Sequence, residues 1–141
     1  VINPSDSLDP NTIVGIHNNI LKPTCANSGC HDGTFEPDYR TIESSYNTLV
    51  NQVIIKNNPS GSYQYRVIPG NADKSVLYVR LMQDIDGQSG IMPLSIDANS
   101  DWPTKKASYI ENIKTWINNG AKDIFGNPAP ALVKKQQTEN K

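Results

Sequence analysis

Cysteine and histidine are the scarcest potential metal ligands in this chain. Its 141 residues include two cysteines, Cys25 and Cys30, and two histidines, His17 and His31. A structural zinc site normally takes four cysteine or histidine ligands, usually as two spaced pairs. Because His17 is the only such residue outside the Cys25–His31 stretch, the pattern does not favour zinc.

Long apolar runs and an excess of one charge sign are also missing. No run approaches the 18 apolar residues of a membrane span, so we expect no transmembrane segment. The 13 basic and 14 acidic residues leave a net charge of −1, which provides no electrostatic footprint for nucleic acid or an anionic membrane. The ten prolines and polar composition are typical of an exported protein with long loops, and we expect a periplasmic or otherwise extracytoplasmic location. Since the chain starts at Val1, we expect a processed N-terminus from which any signal peptide or lipid anchor has been removed.

The two cysteines and His31 form a single compact motif, Cys-x4-Cys-His. Chance would bring two cysteines and a histidine together like this with a probability on the order of 0.001. The motif C-x-x-C-H marks covalent c-type haem attachment, in which two thiols bond the haem and the imidazole reaches the iron. Here the spacer has four residues, and its turn-forming Asn-Ser-Gly predicts an outward bulge over residues 27–29. A Cys25–Cys30 disulfide and a redox-active dithiol stay open as alternatives.

Hydrophobic periodicity predicts about four helices separated by long loops. The first covers residues 10–21, is capped by Asp9-Pro10 and is ended by Pro23. The second is short, is capped by Ser44 or Ser45 and ends near Asn51. The third starts at Asn71 or Asp73, and the fourth follows Pro103 and has Asn119-Gly120 as its C-cap. Residues 53–70 form two short strands or a loop over a cofactor. We expect an extended lead-in over 1–8, one domain over 9–123 and a flexible polar tail over 124–141.

A six-coordinate haem needs a second axial ligand, for which the candidates are Met92, Met82 and His17. Met92 lies in a Gly-containing loop and is followed by a proline, so it is placed to reach the far face of the haem. Met82 continues the apolar edge of the third helix and is expected to fill the core. His17 lies on the helix edge away from Ile13, Ile16 and Ile20 and is expected to face solvent. Met92 is therefore the preferred ligand.

An ordered series of phrases resembles class I c-type cytochromes, especially bacterial domains of planctomycete and Bacteroidetes type. The series covers about residues 12–123 and consists of ILKPTC before SGCHDG, then SYNTLV, RVIPG, KSVLYVRL, GIMP and IKTWINNGA. The resemblance implies an all-α, cytochrome c-like fold wrapped around one haem c, bound covalently through Cys25 and Cys30. It implies His31 as the proximal and Met92 as the distal iron ligand. It also gives Gly15 and Trp116 a role where the terminal helices cross, and suggests the Pro69 carbonyl as acceptor for His31.

These features predict a monohaem electron-transfer protein whose iron cycles between Fe(II) and Fe(III), rather than an enzyme. Arg66 and Arg80 are candidates to pair with the haem propionates, because a guanidinium binds a carboxylate bidentately; Tyr63 and Tyr65 could line the pocket. We expect a monomer that exchanges electrons with redox protein partners. The alternatives are a haem module of a larger redox enzyme, a haem peroxidase or sensor with an open sixth site, and a haem-free secreted domain with a Cys25–Cys30 disulfide.

Overall fold

A computed structural model describes residues 9–27, 29–34, 36–55, 61, 63–85, 87 and 90–130. Within these ranges the elements in chain order are α1 (Ile13–Ile16), a π-helix (His17–Cys25), α2 (Ile42–Leu49), a 3-10 helix (Ala72–Lys74), α3 (Val76–Val79) and α4 (Trp102–Asn118). The described part of the chain is helical, with isolated β-bridges but no strand or sheet. This architecture is compatible with the all-α expectation. The expected lead-in over 1–8 lies outside the described residues.

The N-terminal helix starts later and ends later than predicted. Its N-cap is Thr12, whose Oγ1 accepts a hydrogen bond from the Gly15 amide at 3.1 Å. Pro23 does not end the helix, because the chain has changed from α to π geometry by then. Proline clashes with the carbonyl four residues earlier in an α-helix, whereas π-type bonds, such as Ala26 N–H to the Leu21 carbonyl at 3.0 Å, reach five residues back. The helix therefore continues to Cys25.

His17 is buried, so the expectation of a solvent-facing histidine is wrong. Its side chain is 2% exposed, and Nδ1 lies 2.7 Å from Ser45 Oγ of α2. Residue 17 is four residues after Ile13 and three before Ile20, a spacing that places it beside the buried face of a helix rather than opposite to it. The hydrogen bond satisfies both polar groups inside the core.

Gly15 is also explained differently from the expected helix crossing. A Cβ at this position would collide with the Asp9 carbonyl oxygen and would meet Pro10 Cα at 3.0 Å. The close neighbour is thus the turn that leads into α1, not α4. Asp9 belongs to that turn, because its carbonyl oxygen accepts from Thr12 Oγ1 at 2.9 Å.

The core forms where the N-terminal helix packs against α4. The apolar periodicity correctly predicted α4, which buries Ile113, Trp116 and Ile117. Trp116 also donates from Nε1 to the Lys122 carbonyl at 2.9 Å. The predicted C-cap is confirmed by Gly120 N–H and Ala121 N–H, which donate to the Ile117 and Trp116 carbonyls, both at 3.0 Å. The two ends of the domain therefore share one core.

Of the two middle segments, α2 begins earlier than predicted and the next segment is interrupted. Thr41, not Ser44 or Ser45, caps α2, and Ser44 completes a capping box with it. Asn71 does cap the third helical segment, but only as a 3-10 turn. Ser75 interrupts that segment, since its hydroxyl donates to the Asn71 carbonyl and accepts from Ile68 N–H, both at 2.8 Å. Residues 53–55 and 63–70 form no strand.

The expected domain end at 123 does not coincide with the end of the packed chain. Ile124 and Ala129 pack against the core, and Ala129 N–H donates to the Gly120 carbonyl at 3.0 Å. Asn51 Nδ2 donates to the Pro130 carbonyl at 2.9 Å. Residues 124–130 therefore belong to the domain, and residues 131–141 of the expected tail lie outside the described residues. Within the described ranges, no helix has the length and apolar character required to cross a bilayer.

Candidate cofactor site

The Cys25–His31 segment is a tight turn at the end of the π-helix. His31 N–H donates to the Cys25 carbonyl at 3.2 Å, and Cys30 N–H donates to the Asn27 carbonyl at 2.8 Å. Gly29 has a φ of 79°, the left-handed conformation that glycine adopts without strain. Ser28, at the centre of the expected bulge, lies outside the described residues. The turn brings both free cysteines and His31 to one side of the domain.

These three side chains open into an apolar cavity of about 310 Å³. This volume is typical of a small-molecule or cofactor site. α3 supplies Val76 and Leu77, and Leu81 follows just beyond it, so the face predicted for the third helix does point inward. The lining comprises Thr24, Cys25, Cys30, His31, Glu36, Pro37, Tyr39, Leu49, Ile54, Ile55, Arg66, Val76, Leu77, Arg80, Leu81, Met92, Pro93, Leu94 and Ser95.

Of the predicted site residues, all but Pro69 line this cavity. Cys25, Cys30 and His31 come from the motif, and Arg66, Arg80 and Met92 come from segments 35 to 61 residues further along the chain. Pro69 lies away from the cavity, in the turn where Gly70 N–H donates to the Ile117 carbonyl at the end of α4. Tyr63 and Tyr65 are not in the lining either.

The acceptor expected at Pro69 is in fact the Pro37 carbonyl. His31 Nδ1 lies 2.7 Å from that oxygen. Because a carbonyl can only accept, Nδ1 carries the proton of the neutral ring and Nε2 carries the lone pair. The Pro37 loop follows the motif by only six residues, and its path could not be read from hydrophobic periodicity.

The surroundings of His31 favour its neutral form. Burial lowers the pKa of His31, and the nearby charges of Arg66 and Arg80 act in the same direction. The hydrogen bond to Pro37 and the charge of Asp32 oppose this shift but do not reverse it. A neutral imidazole is the form that ligates a metal.

Tyr39 is a site residue that the sequence did not indicate. Its ring centroid lies 5.0 Å from that of His31, with a tilt of 46° between the planes. Tyr39 is buried in the core and lines the cavity. It lies in a segment without helical or strand periodicity, so the only available signal was a lone aromatic residue close after the motif.

The Cys25 thiol is held in its protonated form. Burial raises the pKa of Cys25 to about 12, and the neighbouring Cys30 contributes in the same direction. Thiol–disulfide exchange requires a thiolate. The environment of Cys25 is therefore unlike that of a redox-active dithiol, in which the attacking cysteine has a lowered pKa.

Two buried guanidinium groups lie in the mainly apolar wall, which also carries the carboxylate of Glu36. Arg66 Nη1 donates to the Thr48 carbonyl at 2.7 Å and to Glu36 Oε1 at 2.9 Å. Arg80 is buried to a similar degree and lines the same cavity. Buried positive charge favours an anionic partner, and guanidinium geometry suits a carboxylate. The cavity therefore suits an apolar ligand that carries acidic groups.

Met92 is the only candidate second ligand that lines the cavity within the described ranges. Its amide donates to the Arg80 carbonyl at 2.8 Å, which ties Met92 itself to the C-cap of α3. Met82 is 54% exposed and is not in the lining, which differs from its expected place in the core. His17 faces Ser45 instead. Of the three candidates, Met92 is the one that the structure places at the cavity.

Burial of His17 predicts a pH-dependent stability before any cofactor is attached. Burial and the Lys22 charge lower the pKa of His17, so below about pH 6.5 the unfolded chain takes up a proton that the folded chain resists. The free energy of unfolding should therefore fall as the pH drops from about 7.5 to about 5.5. His17→Gln, which keeps a polar group for Ser45, should show a smaller fall in urea unfolding. An equal fall in both proteins would contradict this prediction.

Comparisons with known proteins do not extend this description. No protein-family model, curated protein or solved structure matches the chain. Within the described ranges, no group of three or more histidine, cysteine, aspartate or glutamate side chains is arranged to hold a metal ion by itself.

Proposed function

We propose that this chain is a monohaem c-type cytochrome that transfers electrons between redox proteins. One observation carries the proposal: two thiols, an imidazole, a thioether and two guanidinium groups line a single apolar cavity. Thiols can attach a haem covalently, an imidazole and a thioether can ligate its iron, and guanidinium groups can pair with its propionates. The donor set therefore fits the group that the motif predicts.

The motif residues would attach and orient the cofactor. Cys25 and Cys30 would hold the haem covalently, because an S–H group can add across a vinyl double bond to give a thioether with no leaving group. His31 offers Nε2 as a ligand, while the Pro37 carbonyl holds Nδ1–H at 2.7 Å and fixes the ring. Met92 offers its sulfur from another segment of the lining.

The remaining residues would tune the site. Bound haem supplies an iron that takes up and releases one electron between Fe(II) and Fe(III). Arg66 and Arg80 offer guanidinium groups to the propionates. The apolar walls exclude water, and thioether ligation favours Fe(II), so together they set the potential.

The deciding experiment is an intact mass and a visible spectrum of the chain produced with a c-type haem assembly system. We expect the 15.5 kDa chain to gain the mass of one haem, and the spectrum to show a methionine–iron charge-transfer band. Cys25→Ser/Cys30→Ser should show no covalent gain. The two histidines provide a matched pair, since His31→Ala should lose the normal spectrum and His17→Ala should keep it.

A colourless protein with the mass of the bare chain would contradict the proposal and support a haem-free domain with a Cys25–Cys30 disulfide. Covalent haem without the methionine band would instead support an open sixth site, as in a peroxidase or sensor.

A further inference from the structure

The four-residue spacer of the motif contacts the loop that carries Met92. Asn27 Nδ2 donates to the Ser95 carbonyl at 3.1 Å, which joins positions 68 residues apart. The same amide donates to the Thr24 carbonyl at 3.0 Å, at the end of the π-helix. The backbone carbonyl of Asn27 meanwhile closes the turn to Cys30. Asn27 thus links three features: the helix end, the turn between the cysteines and the distal loop.

A second bond holds the same loop from the same helix end. Thr24 is fully buried, and its Oγ1 lies 2.7 Å from Ser100 Oγ. The Met92 amide itself donates to the Arg80 carbonyl. Met92 is therefore anchored at its own amide and at two later positions of the loop, and residues 90–101 as described contain no helix or strand.

We propose that Asn27 is a positioning residue that holds the Met92 loop against the proximal half of the site. This inference rests on the proposed function, in which Met92 ligates the iron. A loop ligand bonds well only if the chain holds its sulfur near the metal, because ordering a free loop costs entropy at each encounter. The asparagine amide suits this role because its nitrogen donates two hydrogen bonds, here to two carbonyl oxygens.

The test compares Asn27→Ala and Asn27→Asp with the wild-type haem-loaded chain. Asn19→Ala is the control, since Asn19 is an exposed asparagine of the same π-helix. The first readout is the affinity of the ferric protein for added imidazole, which competes with Met92 for the iron. In Asn27→Ala, loss of the neutral hydrogen bond to the loop should raise the affinity for imidazole about three- to tenfold. Asn27→Asp should rise at least as much, because its carboxylate faces the two carbonyl oxygens.

The second readout is hydrogen exchange of the Met92 amide in the full chain, with amides of α4 as the reference. Exchange at Met92 should accelerate about three- to tenfold in Asn27→Ala while α4 stays unchanged, since only the loop loses an anchor.

Different results would overturn the role of Asn27 and the proposed function. Haem-loaded Asn27→Ala that matches Asn19→Ala in both imidazole affinity and Met92 exchange would overturn the role of Asn27 alone. A wild-type chain that attaches no haem would overturn the proposed function.

Discussion

Met92→Ala should lower the reduction potential of the haem-loaded chain by on the order of 0.1 to 0.3 V, part of the range of about 0.8 V over which axial ligands set haem potentials. A thioether ligand stabilises Fe(II), so its loss favours Fe(III). The same variant should lose the methionine–iron charge-transfer band and bind added imidazole without competition. Potentiometric titration followed by visible spectroscopy measures these effects.

The chain has only one other methionine, which provides a matched control. Met82 is mostly exposed and does not line the cavity. Met82→Ala should therefore keep the wild-type potential and band. If Met92→Ala kept the band and Met82→Ala lost it, the assignment of the distal ligand would be wrong.

Trp116→Ala should cost about 3–5 kcal/mol of unfolding free energy, the usual loss when a buried tryptophan is truncated to alanine. Trp116 is 1% exposed and lies in the core shared by α4 and the N-terminal helix. The change leaves a cavity at the contact between the two ends of the domain and removes the partner of the Lys122 carbonyl. Urea unfolding of the two chains measures the loss.

Two further variants separate packing from hydrogen bonding at this position. Trp116→Phe keeps an aromatic ring but loses the Nε1 donor, so it should cost clearly less than Trp116→Ala, with the lost bond contributing about 1 kcal/mol. Phe125→Ala removes an exposed aromatic side chain and should stay within about 0.5 kcal/mol of wild type. A Trp116→Ala loss no larger than that of Phe125→Ala would contradict the role of Trp116 in the shared core.

The loops between the helices explain why parts of the site could not be predicted. Tyr39 and the Pro37 carbonyl lie in a segment with no period, and periodicity is the main structural signal that a sequence carries. The resemblance between phrases points to Pro69 as the acceptor, yet hydrogen-bond partners depend on where two loops meet. The packing of Ile124 and Ala129 was hidden for the same reason, because a polar, proline-containing segment has no apolar face to read.

The sequence by itself determined the features that depend on neighbouring residues. Cys25, Cys30 and His31 are close in space because few residues separate them along the chain. The spacing of Ile113 and Ile117 specifies a helix face because an α-helix repeats every 3.6 residues. Only the tertiary structure decided that the buried His17 meets a hydroxyl group, because Ser45 lies on α2, 28 residues further along the chain. It alone decided that Asn27 of the spacer meets Ser95 of the Met92 loop, because a contact across 68 residues depends on the packing of the helices between them.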